Sequence, residues 1–248
     1  MALIKTEAIV LKQRDFSEAD KIITLYSMKM GKISCIAKGI KRAKSKLRGT
    51  LLPFTHNSLV LFKGKSLYTV TGADIIESFV NLRKDFSLMA YTSYILELLD
   101  SLVPEEEASY QTFVLLVGTL HLLNVIDPRV AVKIFEIRFL RILGYRPQTD
   151  KCINCGGFGD KFWFSSGQGG VLCSSCRNLD SLAKRISTGS LKILELLDKM
   201  DWNRIDRVKP SKKNFQEMDH IMDDYLLYLL QKKLHSREFI KSVIENKL

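Results

Sequence analysis

Histidine is scarce in this chain of 248 residues, and its scarcity removes much metal-catalytic chemistry at the outset. The four histidines, His56, His121, His220 and His235, are dispersed. No HExxH pair occurs, and neither half of the HxE…PCxxC deaminase signature is present. There is no GxGxxG, and Gly64-Lys65-Ser66 lacks the glycine a phosphate-binding loop needs five positions earlier, where Leu59 stands. A hairpin turn is the reading of that stretch. The KxDG lysine motif of ligase-like enzymes is also missing, and no nucleophile stands with a base. The residues therefore argue for binding rather than catalysis, with no catalytic residue to nominate. Long apolar runs are missing too. The longest, Phe113–Ile126, is interrupted by Gly118, Thr119, His121 and Asn124, too short and mixed to span a bilayer. Lys5 and Glu7 break any early apolar run, so no signal peptide is expected and a cytoplasmic location is.

Acidic residues are in deficit. Lys and Arg number 38 against 27 Asp and Glu, a net +11. The excess is uneven: residues 1–80 carry +8, residues 81–150 carry −2 and residues 151–248 carry +5. Such a balance favours a polyanionic partner, nucleic acid before acidic membrane. The hydrophobic fraction, 46%, is ordinary for a globular protein with a real core.

Cysteine is also sparse, yet four of the five are concentrated. Cys152-Ile-Asn-Cys155 is followed after seventeen residues by Cys173-Ser-Ser-Cys176. Two CxxC knuckles at that separation can aim four thiolates at one point, the closed four-sulfur shell of a structural Zn2+. A closed shell leaves no position for a reacting water. Two disulfides, four unrelated buried thiols and an Fe–S cluster are the competing readings. Four cysteines in metal spacing argue for a reducing compartment. Cys35 lies in an apolar alternation and is expected to be simply buried.

Periodicity divides the chain. Residues 4–13, Lys21–Ser27, Lys32–Lys38, Leu59–Lys63 and Ser66–Thr71 read as strands. Five short strands in about eighty residues suggest a small closed barrel, for which the OB-fold is the common nucleic-acid-binding answer. Helical spacing follows over Ser87–Leu102, Tyr110–Ile126, Arg129–Leu143 (after the Asp127-Pro128 start signal), Ser190–Met200, Phe215–Leu234 and Arg237–Ile244. The expected architecture is α+β and multi-domain: a five-stranded OB-fold β-barrel over 1–80, then an α-helical domain in two parts, 81–150 and 179–248, carrying an inserted four-cysteine zinc finger at 151–178.

Between the third and fourth strands runs a basic loop with Lys38, Lys41, Arg42, Lys44, Lys46 and Arg48 and no acid. Such a run repels itself unless a polyanion approaches, although a solvated, disordered surface loop has the same composition. With six phosphate contacts to a single strand, log affinity would fall with log salt at a slope of about −4. Phe16, Tyr26, Phe54, Phe62 and Tyr68 are available for base stacking, though a small barrel places most aromatics in its core. Arg138 and Arg141 stand one turn apart on a helix apolar nearly all round, so an anionic partner is required. That partner is expected to be internal, Glu97 or Asp100; the sharper reading is a socket for an acidic peptide tail with an apolar end.

Ala37-Lys-Gly with the basic run and Arg48-Gly-Thr-Leu-Leu-Pro-Phe54 resembles the N-terminal signature of the RecO recombination-mediator family. Phe135-Glu-Ile-Arg-Phe-Leu-Arg-Ile-Leu-Gly-Tyr-Arg-Pro147, running into Cys152-Ile-Asn-Cys-Gly156, is similar to the family's central segment. Ile40 and Ala43 depart from the family's usual residues in the loop, but its cationic character survives. The resemblance covers essentially the whole chain. It implies an OB-fold, a helical domain and a zinc finger. It also implies binding of single- and double-stranded DNA and annealing of complementary strands near the bacterial nucleoid. Further, it implies partnership with RecR and with the acidic tail of single-stranded-DNA-binding protein, so that RecA can load. A zinc-stabilised adaptor whose basic surface meets an acidic protein is the alternative from the residues alone.

Overall fold

A computed structural model describes residues 3–64 and 67–244, so Lys65 and Ser66 of the Gly64-Lys65-Ser66 turn lie outside the described residues. The chain divides into two compact units: residues up to Pro128 together with the segment from Leu234, and Arg129–Lys233 between them.

In the first unit, five strands close a barrel: β1 (Leu3–Asp15), β2 (Lys21–Ser27), β3 (Gly31–Ala37), β4 (His56–Lys63) and β5 (Tyr68–Glu77). Their order is β1-β2-β3-β5-β4, closing back on β1. All pairs are antiparallel except β3–β5, where Cys35 faces Tyr68 and Ile36 faces Thr69 in parallel. This is the OB arrangement that the five-strand count led us to expect. Alternation sets the register: Ile33, Cys35 and Ala37 of β3 point inward and join Ala8, Val10, Ile23, Leu25, Leu59 and Leu61 in one core. Each aliphatic side chain fully buried there contributes about 1.5–3 kcal/mol. Burial pushes the Cys35 thiol up to about 12, in keeping with its expected role as a core residue. A bulge in β1 between Val10 and Lys12 leaves Leu11 without a β2 partner, and Ala8, Ile9, Val10 and Leu11 are all buried. A four-residue helix, α1 (Leu47–Thr50), fills the β3–β4 connection; the basic composition had disguised it.

Helices α2 (Val80–Lys84), α3 (Phe86–Leu102) and α4 (Tyr110–Leu122) complete this part of the chain. Asp85 Oδ1 caps α3 by accepting from Leu88 N at 2.8 Å, and Ser109 caps α4 through Thr112 N. The α3–α4 connection lies against the barrel. Glu106 N donates to Lys32 O at 2.8 Å, and a Cβ on Gly31 (φ +68) would lie 2.0 Å from Glu107 O, so only glycine fits. Lys32 Nζ donates to Asp100 O at 2.7 Å. The final segment, α8 (His235–Phe239) with a π turn through Ile244, returns to this unit. There Glu97 receives His235 N at 3.1 Å and Ser236 N at 2.8 Å.

The second unit is built on α5 (Pro128–Ile142), α6 (Thr188–Lys199) and α7 (Lys212–Leu230). Every residue of α5 from Val130 to Leu140 is buried, Lys133, Glu136 and Arg138 included. Lys133 Nζ meets Glu136 Oε2 at 2.8 Å and Asp219 Oδ1 at 2.6 Å, which satisfies charges a buried helix could not otherwise carry. A three-stranded sheet in the order β7-β6-β8 links the helices: β6 (Phe162–Ser165), β7 (Gly170–Cys173) and β8 (Lys184–Ile186). No helix among the described residues is long and apolar enough to cross a membrane.

Candidate metal centre and nucleic-acid interface

The four spaced cysteines converge. Their sulfurs all lie within 4.8 Å of one another, and Cys155 Sγ stands 3.8 Å from Cys173 Sγ. Four sulfurs about 2.3 Å from a central ion would form a tetrahedron with edges of about 3.8 Å. All four are free thiols gathered in this one cluster. The first knuckle is closed by Gly156 N donating to Cys152 O at 2.9 Å and by Cys152 N donating to Gly157 O at 3.0 Å, with Gly156 at φ +70. The second is closed by Cys176 N donating to Cys173 O at 3.1 Å. Cys173 ends β7, so the short sheet delivers the second knuckle to the first. Ile153 N donates to Val171 O at 2.8 Å and ties the knuckles together.

The electrostatics of this cluster call for a cation. Burial opposes ionisation of Cys152, but the backbone N–H groups of Cys155, Cys173 and Asn154 outweigh it and bring the thiol down to about 6. At Cys176 the Asn154 amide favours the thiolate. Burial and the three neighbouring sulfurs overrule it and push that thiol up to about 11. Sulfurs sharing one point cannot all ionise without a positive charge among them. The residues fit a metal ion with a closed coordination shell.

The basic loop is ordered. Its turns are held by Arg42 N donating to Gly39 O, Ser45 N to Arg42 O and Arg48 N to Ser45 O, at 3.0–3.3 Å. Ile40 and Leu51 are core residues of the barrel, and Leu47 packs against that core. Gly39 N donates to Asp20 Oδ1 at 2.7 Å, and Lys41 N to Ala19 O at 3.0 Å, which binds the loop to the β1–β2 turn. The six cations are not equivalent. Lys41 Nζ pairs with Asp15 Oδ2 at 3.1 Å and donates to Ser17 O at 2.9 Å. Lys38, Arg42, Lys44, Lys46 and Arg48 are exposed, with no ion pair among the described residues. Of the aromatics, Tyr26, Phe54 and Tyr68 are in the core and Phe62 is half-buried, whereas Phe16 is exposed.

The expected partners of Arg138 and Arg141, Glu97 and Asp100, are both engaged elsewhere. Glu97 caps the Leu234–Ser236 segment, and Asp100 receives Lys12. The acid is Asp198 on α6. Its side chain is buried and stands 3.0 Å from Arg141 Nη1 and 2.9 Å from Arg146 Nε. Arg138 itself finds carbonyls: Nε donates to Leu197 O at 2.9 Å and Nη2 to Met200 O, while its guanidinium lies 4.7 Å from the Trp202 ring centroid. These are the last carbonyls of α6, where a cation suits the helix dipole. Burial lowers the Arg138 pKa, the Arg141 charge adds to that, and Asp198 and Asp201 oppose it. Sequence reasoning missed Asp198, Arg146 and Trp202. The available signal was an acid at Asp198 on the apolar face that Leu191, Leu194 and Leu197 define.

The family model described as Recombination protein O N terminal matches residues 1–79, and the one described as Recombination protein O C terminal matches residues 83–238. The chain is 34% identical over 245 residues to the DNA repair protein RecO of Alkaliphilus metalliredigens, covering 97% of this chain and 100% of that one. It is 34% identical to the protein of the same name from Acetivibrio thermocellus, covering 98% of each. The protein of that name from Bacillus pumilus is also 34% identical, with 99% of each chain covered.

Proposed function

The chain belongs to the RecO family of DNA repair proteins, and from that premise we propose that it is a DNA-binding recombination mediator without an enzymatic step of its own. It binds single- and double-stranded DNA through the Lys38–Arg48 loop and anneals complementary strands. Working with RecR and single-stranded-DNA-binding protein, it helps load RecA.

One observation carries this reading: an ordered loop holds five exposed cations that have no ion pair among the described residues. Like charges held together in that way are relieved of their mutual repulsion when a polyanion supplies the counter-charge. Two DNA strands repel through their phosphates. A surface that neutralises both brings bases within pairing distance, and annealing then needs no nucleotide hydrolysis. Exposed Arg185, Lys212 and Lys213 offer further cations, whereas Lys184 is paired with Asp224 at 2.5 Å.

The Cys152, Cys155, Cys173 and Cys176 cluster is proposed to hold one structural Zn2+, which supplies cross-linking and no chemistry. For the acidic tail of single-stranded-DNA-binding protein, Arg141 is the accessible member of the Arg138–Arg141 pair, its side chain 46% exposed while it pairs with Asp198. Fluorescence anisotropy with a labelled single strand, across a salt series and without ATP, tests the reading. Binding that weakens steeply with salt is expected, together with accelerated annealing of complementary oligonucleotides and no strand cleavage. Failure to bind at low salt would sink it.

A further inference from the structure

The β1–β2 turn presents an aromatic ring to solvent. Phe16 is 56% exposed, on a barrel whose Tyr26, Phe54 and Tyr68 are all buried. Its ring has no ring–ring or cation–ring contact among the described residues. The turn that carries it is closed by hydrogen bonds: Phe16 N donates to Asp20 O at 3.2 Å, and Asp20 N donates to Ser17 Oγ at 3.1 Å. Asp20, Ala19 and Ser17 are the groups to which Gly39 and Lys41 bond, at 2.7–3.0 Å. Three hydrogen bonds thus join the turn, with its exposed ring, to the basic loop, with its five exposed cations.

Exposing a large aromatic forgoes the burial that holds its counterparts in the core. On five-stranded barrels of this kind, the β1–β2 loop borders the face where oligonucleotides lie. Phosphates held by the loop would leave unpaired bases free to meet the ring, and every base offers a π face whatever its sequence.

Resting on the DNA-binding reading above, we infer that Phe16 is the base-stacking platform of this protein, giving it a preference for unpaired over paired DNA. Duplex bases are already stacked on one another, so the ring contributes nothing to duplex binding.

The test uses the full chain, with oligo-dT and a mixed-sequence duplex of equal length, and circular dichroism to verify folding. Phe16→Ala should weaken single-strand binding about fivefold or more, leave duplex binding within about twofold, and keep the salt slope, because stacking releases no counterions. Phe16→Tyr should restore the single-strand affinity. Unchanged single-strand affinity in Phe16→Ala, with the wild type still binding in a salt-dependent way, overturns the inference and leaves the DNA-binding reading standing. Equal losses on both substrates also overturn it. A wild-type protein that binds neither substrate overturns the DNA-binding reading and the inference with it.

Discussion

The pairing of Lys41 with Asp15 divides the basic loop into cations that are available and one that is not. Each cation that meets a phosphate of a single strand contributes about −0.7 to the slope of log affinity against log salt. Five available cations give the loop a share of about −3.5, where six would give about −4. Neutralising three of the exposed ones, as Arg42→Ala/Lys44→Ala/Lys46→Ala, should make the slope shallower by about 2. Between about 50 and 200 mM salt, that is a loss of salt sensitivity of about sixteenfold. The paired variant Asp15→Asn/Lys41→Ala removes one charge of each sign and should leave the slope almost unchanged, since Lys21, 3.9 Å from Asp15 Oδ1, keeps its bond to Gln13 Oε1. Its folding should survive, since the pair is a surface one with Asp15 71% exposed, worth about 0–1 kcal/mol. Anisotropy titrations at several salt concentrations read both slopes. If the paired variant flattens the slope by about 0.7, as one exposed cation would, the distinction drawn from the ion pair is wrong. If the triple variant keeps the wild-type slope, the DNA lies elsewhere.

Metal removal should unfold the finger first: a strong chelator at neutral pH is expected to release one Zn2+ per chain, and Cys152→Ser/Cys155→Ser should lose that ion and lower the melting temperature, as metal analysis and calorimetry would show. Asp198→Ala should cost about 1–3 kcal/mol in denaturant unfolding, because it strips the carboxylate from Arg141 and Arg146, whose remaining exposure lets water compensate in part. At Glu217, burial opposes ionisation, but Ser187 and Ser190, donating at 2.6–3.0 Å, overcome it and depress the pKa. Its contribution is therefore present above the ordinary carboxylate range and is lost as pH falls through the depressed value. Glu217→Gln should make acid unfolding less steep, as a pH series of melts would reveal. Gly31→Ala should destabilise the barrel by several degrees of melting temperature, because its Cβ would collide with Glu107 O.

The barrel was legible because its core is written in period two. Ile33, Cys35 and Ala37 alternate with Lys32, Ser34 and Ile36, and the structure buries the first set more deeply. The four-cysteine cluster was legible because the spacing within each knuckle is local. The sheet behind it was not. β6, β7 and β8 have four, four and three residues, too few for an alternation to stand out. The Arg138–Asp198 neighbourhood was half legible. A buried guanidinium demands a partner, but the partner sits about sixty residues away on α6, and no rule of spacing connects the two helices. The choice of Glu97 or Asp100 failed for a related reason. Those acids meet needs that spacing could not show: the N–H groups of His235 and Ser236, and the ammonium of Lys12.

The loop's order is the more informative surprise. Five neighbouring unpaired cations should drive a free loop apart. Here Ile40 and Leu51 are buried in the barrel, and the Asp20 carboxylate accepts from Gly39 N. Apolar burial of about 1.5–3 kcal/mol for each such side chain is enough to oppose repulsion between exposed charges, each pair of which is screened within about 10 Å at ordinary salt. The repulsion is thus borne by the folded state before any ligand arrives. A polyanion that docks relieves it and finds the cations already placed, so binding does not have to supply the entropy of ordering the loop. A disordered basic tail of equal charge would meet DNA with a similar salt slope but lower affinity. Releasing the anchor with Ile40→Ser should reproduce that: the slope stays and the affinity falls. An Ile40→Ser protein with a folded barrel and undiminished affinity at each salt concentration would show that the ordering of the loop contributes nothing.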